Sequence, residues 1–286
     1  MYGAVGFWLS GGVTKTAIVI AVAVFLTVRL VIVMLSFWLS RRLTGAGGCR
    51  RLTLVRLILV EWFALIATGA VLMVLPKLFS RREHVCNLPA AGRGTRVLLV
   101  HGYVCNRAVW AWFERRLALR GFDVHSVTIE PVFGDIEEQR EVLARRIDAL
   151  TAQHGDRLTL VAHSMGGLMA RAYIRRHGAG RIEKLITFGA PHQGTALAWL
   201  GIGRCARQMD LGNTWLGELM SDAGGLSAIP GGVTAIFSHD DNLVAPQASA
   251  VVPNAKVIAL RGIAHVSMPF SPLMLATVLS ELPPAR

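Results

Sequence analysis

Residues 158–170 read LTLVAHSMGGLMA. An apolar run with strand character meets small residues around Ser164, and a helix-compatible pattern follows at once. A strand that turns this sharply into a helix lifts a serine hydroxyl clear of the sheet edge, the layout of a nucleophile elbow. Strand and helix backbones pass close together in such a turn, so Ala162, Gly166 and Gly167 have a steric reason to be small. The first small position carries Ala where Gly is usual, and small-x-Ser-x-Gly also arises at ordinary strand-to-helix junctions. The meaning of the motif therefore rests on the rest of the chain.

Upstream, Val97 to Val100 form an apolar strand running into His101-Gly102-Tyr103. A His-Gly-aromatic turn after an early strand is one source of an oxyanion-hole amide, the other being the amide after the nucleophile. The backbone N–H groups of Tyr103 and Met165 are assigned to that role. Downstream, Val233 to Phe237 read as a strand ending in SHDDNLVAP at 238–246, where Asp241 is the better candidate for an orienting carboxylate. Lys256 to Leu260 make one more strand, followed by His265 in a loop and a final helix from about Pro269. A serine hydroxyl is a weak nucleophile until an imidazole takes its proton, and the imidazole needs an anion to set its tautomer. The order Ser164, Asp241, His265 is that of the α/β-hydrolases rather than of chymotrypsin or subtilisin. Singly, His265 can be a loop cap and Asp241 a turn residue; jointly, at strand ends in this order, they read as one site.

With these segments in place, the chain resembles the bacterial lipases and related esterases of the α/β-hydrolase superfamily over roughly residues 95–282. The resemblance rests on VLLVHGY at 97–103, VAHSMGG at 161–167, FGAPHQGT at 188–195, SHDDNLVAP at 238–246 and GIAHVSMPFSP at 262–272. In such lipases a Pro-His-x-Gly-Thr segment opens the cap region, which maps onto Pro191, His192, Gly194 and Thr195. The resemblance implies a triad of Ser164, Asp241 and His265, with Asp240 as the acid if the loop is shifted by one residue. His101, His163 and His192 read as structural. The histidines lack the spacing of a zinc site, and no acidic cluster near His265 suggests calcium, so neither metal nor cofactor is expected.

The expected fold is α/β of the α/β-hydrolase type, a mostly parallel sheet with helices on both faces and a small helical cap, preceded by two transmembrane helices. Residues 1–80 form the membrane-anchoring hairpin, 81–95 a linker and 96–286 the catalytic domain. The cap at about 196–232 interrupts the alternation of strand and helix. Its apolar residues, among them Trp199, Leu200, Met209, Leu211, Trp215, Leu216, Leu219 and Met220, suit a flap over an acyl-binding cleft, with Gly201, Gly203, Gly212, Gly224 and Gly225 as hinges. A helical hairpin packed on the sheet, touching no substrate, is the plainer alternative. The helix around Glu137 to His154 covers the sheet.

Thr16 to Leu39 and Leu57 to Phe79 are almost wholly apolar, each longer than the roughly 20 residues that cross a bilayer. The first run is too long for a signal-peptide core, and a second follows it. Net charge is +12, but the excess is largely Arg around and after these runs, which points to anionic membrane surfaces and not to nucleic acid. Counting from the loop flanked by Arg41, Arg42, Arg50 and Arg51 puts Arg29 and Glu61 at similar depth, which predicts an ion pair across the hairpin or marks an oligomer contact. The Arg-rich loop should stay cytoplasmic, placing the catalytic domain on the periplasmic side of a bacterial inner membrane; Lys77, Arg81 and Arg82 pull the other way. Cys86 and Cys105 can pair in an oxidising compartment. The expected partners are an acyl-ester or lipid substrate and membrane lipids. The expected activity is serine ester hydrolysis of acyl lipids, with an acyltransferase using the same triad, or a non-catalytic membrane protein, as alternatives.

Overall fold

The computed structural model describes residues 2–44, 51–72, 95–152, 157–221 and 224–285. Six strands form one sheet: β1 (Arg96–Val100), β2 (Asp123–Val127), β3 (Leu158–His163), β4 (Ile182–Phe188), β5 (Val233–Ser238) and β6 (Lys256–Leu260). All pairings are parallel and the spatial order is β2-β1-β3-β4-β5-β6. Parallel strands need crossovers that bury both faces, which is why β1 and β3 read as unbroken apolar runs.

Alternate residues of β1 serve opposite layers. Leu98 and Val100 join the core on one face, with Leu143 and Ile147 of the helix Ile136–Thr151 and Leu168 and Met169 of the helix Met165–His177. Val97 and Leu99 join the other, with Phe113 and Leu117 of the helix Ala111–Ala118 and Met274 and Val278 of the helix Pro272–Glu281. Asp135 caps the first of these helices by accepting from the Glu137 amide. Ser271 caps the last by accepting from Met274. This helix starts at Pro272, a few residues after the expected point, because Met268–Phe270 first forms a single tight turn.

At the N-terminus α1 (Tyr2–Thr44) and α2 (Arg51–Ile66) lie side by side, and Ala67–Leu72 continues α2 as a wider turn. Lys15–Thr44 and Arg51–Gly69 are long and apolar enough to cross a membrane. The hairpin is not separate from the sheet domain. Val33, Phe37 and Leu57 are buried against Ala264, beside His265. Burying such side chains is worth about 1.5–3 kcal/mol each. The expected Arg29–Glu61 pair is replaced by other partners. Glu61 accepts from the amides of Val266 and Ser267, while the Arg29 guanidinium lies 3.5 Å from the centre of the Phe25 ring. Equal depth along two helices does not set which faces meet. Residues 81–94 of the expected linker, which include Cys86, Arg81 and Arg82, lie outside the described residues, as does Lys77.

Candidate active site

Every candidate side chain or amide of the site sits just beyond the C-terminal end of a strand, where parallel α/β sheets place their ligands. Ser164 follows β3 with φ 56° and ψ −131°, a backbone strain that a non-glycine residue carries only when its surroundings enforce it. Those surroundings are tight. A Cβ on Gly166 would lie 2.6 Å from the Val100 carbonyl oxygen, and one on Gly167 would lie 2.6 Å from Ala190 Cβ. The glycines let the helix start against β1 and β4, and the turn lifts Ser164 out of the sheet.

His265 Nε2 lies 2.9 Å from Ser164 Oγ, and His265 Nδ1 lies 2.9 Å from Asp241 Oδ2. Asp241 Oδ1 also accepts from the amides of Leu243 and Val244, each at 2.8 Å, which fixes the carboxylate plane. The shifted alternative, Asp240, turns away and accepts from the Gly262 amide. Burial works against a charge on His265, but the charge and hydrogen bond of Asp241 outweigh it and hold its pKa above the ordinary imidazole range.

The turn after β1 passes close to Ser164: a Cβ on Gly102 would sit 2.7 Å from Ser164 Cβ. That closeness brings the Tyr103 backbone to the Ser164 side of the sheet. Met165 opens its helix, so its amide is among those with no helical acceptor. The Tyr103 hydroxyl does something the sequence did not suggest. It accepts from the Ile202 amide at 2.7 Å and donates to the Ile202 carbonyl at 2.8 Å, pinning the start of the cap.

The remaining histidines near the site are buried and neutral. His101 Nε2 accepts from the Ile129 amide, and burial pushes its pKa down to about 4. His163 packs against the His265 ring with centroids 4.8 Å apart and donates from Nε2 to the His265 carbonyl. Burial and the neighbouring His265 hold it well below the ordinary range. His192 is also held down by burial, and its Nε2 donates to Thr187 Oγ1. No group of three or more metal-ligating side chains occurs among the described residues.

Ser164 and His265 open into a cavity of about 500 Å³. Leu197, Leu200 and Met209 form one wall, whereas Ile32, Leu35 and Leu39 of α1 form another. The segment 196–232 thus divides. Its first part lines the cavity, while Leu216 and Leu219 of the helix Thr214–Ser221 are buried in the domain core. Gly201 and Gly203 are close-packing sites, since a Cβ at either would approach Ala206 or Phe133 within 2.7 Å.

A six-stranded parallel sheet with Ser, Asp and His converging at its C-terminal rim from the ends of β3, β5 and β6 decides the class. The chain has the α/β-hydrolase fold. Comparison with known proteins agrees with that fold. The family described as palmitoyl protein thioesterase matches residues 96–219. A pimeloyl-acyl-carrier-protein methyl ester esterase of Vibrio cholerae is 30% identical over 134 residues, 46% of this chain and 49% of that protein. The match with that curated relative therefore spans about half of its length. Among solved structures, a mature lipase of Bacillus licheniformis superposes with a TM-score of 0.55 at 16% identity, covering 71% of this chain and 95% of the lipase. A membrane phospholipase A described as a bacterial virulence factor superposes with a TM-score of 0.52 at 16% identity, covering 80% and 96%.

Several residues that shape the site were not legible as such in the sequence. Asn242 accepts from the His265 amide through Oδ1 and donates to Ser36 Oγ of α1. Thr195 ties the cap to the acid loop, donating to the Leu243 carbonyl and accepting from the Ala245 amide. Glu61 accepts from amides more than 200 residues away along the chain.

Proposed function

We propose that this protein is a serine hydrolase that cleaves carboxylic esters of acyl lipids through an acyl-enzyme. The observation that carries the reading is the unbroken relay Ser164–His265–Asp241 at the floor of an apolar cavity. Ser164 Oγ attacks the ester carbonyl while its proton passes to His265 Nε2, and Asp241 stabilises the imidazolium. The amides of Tyr103 and Met165 hold the oxyanion. As the tetrahedral intermediate collapses, Nε2 protonates the departing alcohol. Water, deprotonated by the same nitrogen, then releases the acid and restores Ser164. A fluorophosphonate probe should label the full chain but not Ser164→Ala; folded wild type left unlabelled refutes the proposal. Product analysis with a competing alcohol separates hydrolysis from acyl transfer. The match to palmitoyl thioesterases favours a second leaving group, so long-chain thioesters belong in the same assay.

A lipid source for the substrate is supported by what surrounds the cavity. One wall is α1, whose preceding stretch exposes Ile18, Val19, Val22 and Val24, and the cap beside it exposes Trp199 and Ile202. An apolar face of this extent needs a covering, and α1 carries an 18-residue stretch of mean hydropathy 3.0, about 27 Å long and close to a hydrocarbon thickness. The contacts with the domain run from Val33 to Ser40 on α1 and from Leu57 through Glu61 to the turn Ala67–Leu72 on α2. Charge counting, with the Arg-rich turn cytoplasmic, favours a domain on the periplasmic side. Reporter fusions at Arg286 test the side directly.

A further inference from the structure

We propose that Glu61 of α2 is a positioning residue for His265, acting with Ser36 of α1, so that the apolar hairpin is part of the active site and not only its tether. This rests on the triad proposed above. His265 lies in a loop whose next two amides, Val266 and Ser267, point at the hairpin and need acceptors. Glu61 Oε1 accepts the first at 2.7 Å and Oε2 the second at 2.9 Å, so one carboxylate clamps two consecutive peptide units directly after the proposed base. Glu61 is 1% exposed. A buried carboxylate is an expensive way to fill space, and an apolar side chain would serve simple packing better.

A second link reaches the same loop from the other helix. Asn242 Oδ1 accepts from the His265 amide at 3.0 Å, and Asn242 Nδ2 donates to Ser36 Oγ at 2.7 Å. Ser40, four residues on, donates to the Asp241 carbonyl. The hairpin therefore holds the backbone of both members of the His–Asp pair, while Leu57, Val33 and Phe37 seal the contact against Ala264. Glu61 bonds neither the serine nor the imidazole; it acts through the loop. The charged or titratable groups that face His265 are Asp241 after β5, His163 at the end of β3 and Glu61 on α2.

The test uses the full chain in detergent micelles with p-nitrophenyl butyrate, a soluble ester that needs no delivery from a bilayer. In Glu61→Gln one terminal atom becomes a donor facing a backbone N–H, which pushes the loop off its seat. Misplacement by about 1 Å costs on the order of 10²-fold, so kcat per fluorophosphonate-titrated site should fall about 10- to 100-fold with KM little changed. The acid limb of kcat/KM should also move to lower pH, because a negative charge facing His265 is lost. An unchanged kcat per titrated site with an unmoved limb, even if Tm drops, overturns the proposal and leaves Glu61 a mere anchor. Should Glu61→Gln fail to fold, Ser36→Ala decides: a severalfold lower kcat supports the positioning role, and wild-type kcat overturns it. Absence of turnover and labelling in the wild type would instead strike the triad itself.

Discussion

Replacing Asp241 by Asn isolates one proton position. In the structure Asp241 Oδ1 accepts from the amides of Leu243 and Val244, and Oδ2 faces His265 Nδ1 at 2.9 Å. Two amide donors require an acceptor at the first position, so the Asn oxygen takes it and the NH₂ group is forced towards Nδ1. An amide NH₂ there donates and cannot accept, so the neutral imidazole moves its proton to Nε2. That proton then points at Ser164 Oγ, 2.9 Å away, and the ring can no longer receive the serine proton. The loss for the equivalent tautomer error in a serine protease is about 10⁴-fold in kcat, roughly 5.5 kcal/mol of transition-state stabilisation. Both backbone bonds survive, so Tm should change by no more than a few degrees. Burst-phase kinetics with p-nitrophenyl butyrate, together with the rate of fluorophosphonate labelling, measures the effect. Asp241→Asn within tenfold of wild type, or Asp240→Asn showing the larger loss, would refute the assignment.

Other outcomes follow from the same geometry. Because Asp241 raises the pKa of His265 over the opposing effect of burial, and only the neutral ring accepts a proton, the acid limb of kcat/KM should lie above the ordinary imidazole value of about 6.5. Activity is then complete above that limb and lost as pH falls through it; a limb below 6 would contradict the geometry. Gly166→Ala drives a methyl into the Val100 and His101 carbonyls, and thermal melts should show about 1–3 kcal/mol of destabilisation with labelling lost in parallel. Tyr103→Phe removes the two bonds to Ile202 while keeping the backbone amide. It should raise KM for long-chain esters by severalfold, with kcat for the butyrate ester unchanged.

That Ser164 and His265 would meet was legible because their residue types, loop positions and order along the strands constrain one another. The choice between Asp241 and Asp240 was not, since a one-residue shift in a loop leaves the composition unchanged. Only the coordinates show which carboxylate turns to Nδ1 and which to Gly262. The cap was half legible. An apolar helical face looks the same whether it meets a cleft or the core, and Leu216 and Leu219 meet the core. Glu61 was misread for a similar reason. Charge and depth suggested Arg29, but the carboxylate found backbone amides more than 200 residues away along the chain.

The amino-acid sequence alone determined the elbow, the parallel strands and the apolar hairpin, because each depends on local pattern: small residues where backbones touch, continuous apolar runs where both faces are covered, and length against a bilayer. Tertiary structure alone decided that α1 walls the cavity and that α2 grips the loop of His265. Such contacts depend on which faces of two distant elements meet, and no periodicity along either element records its partner.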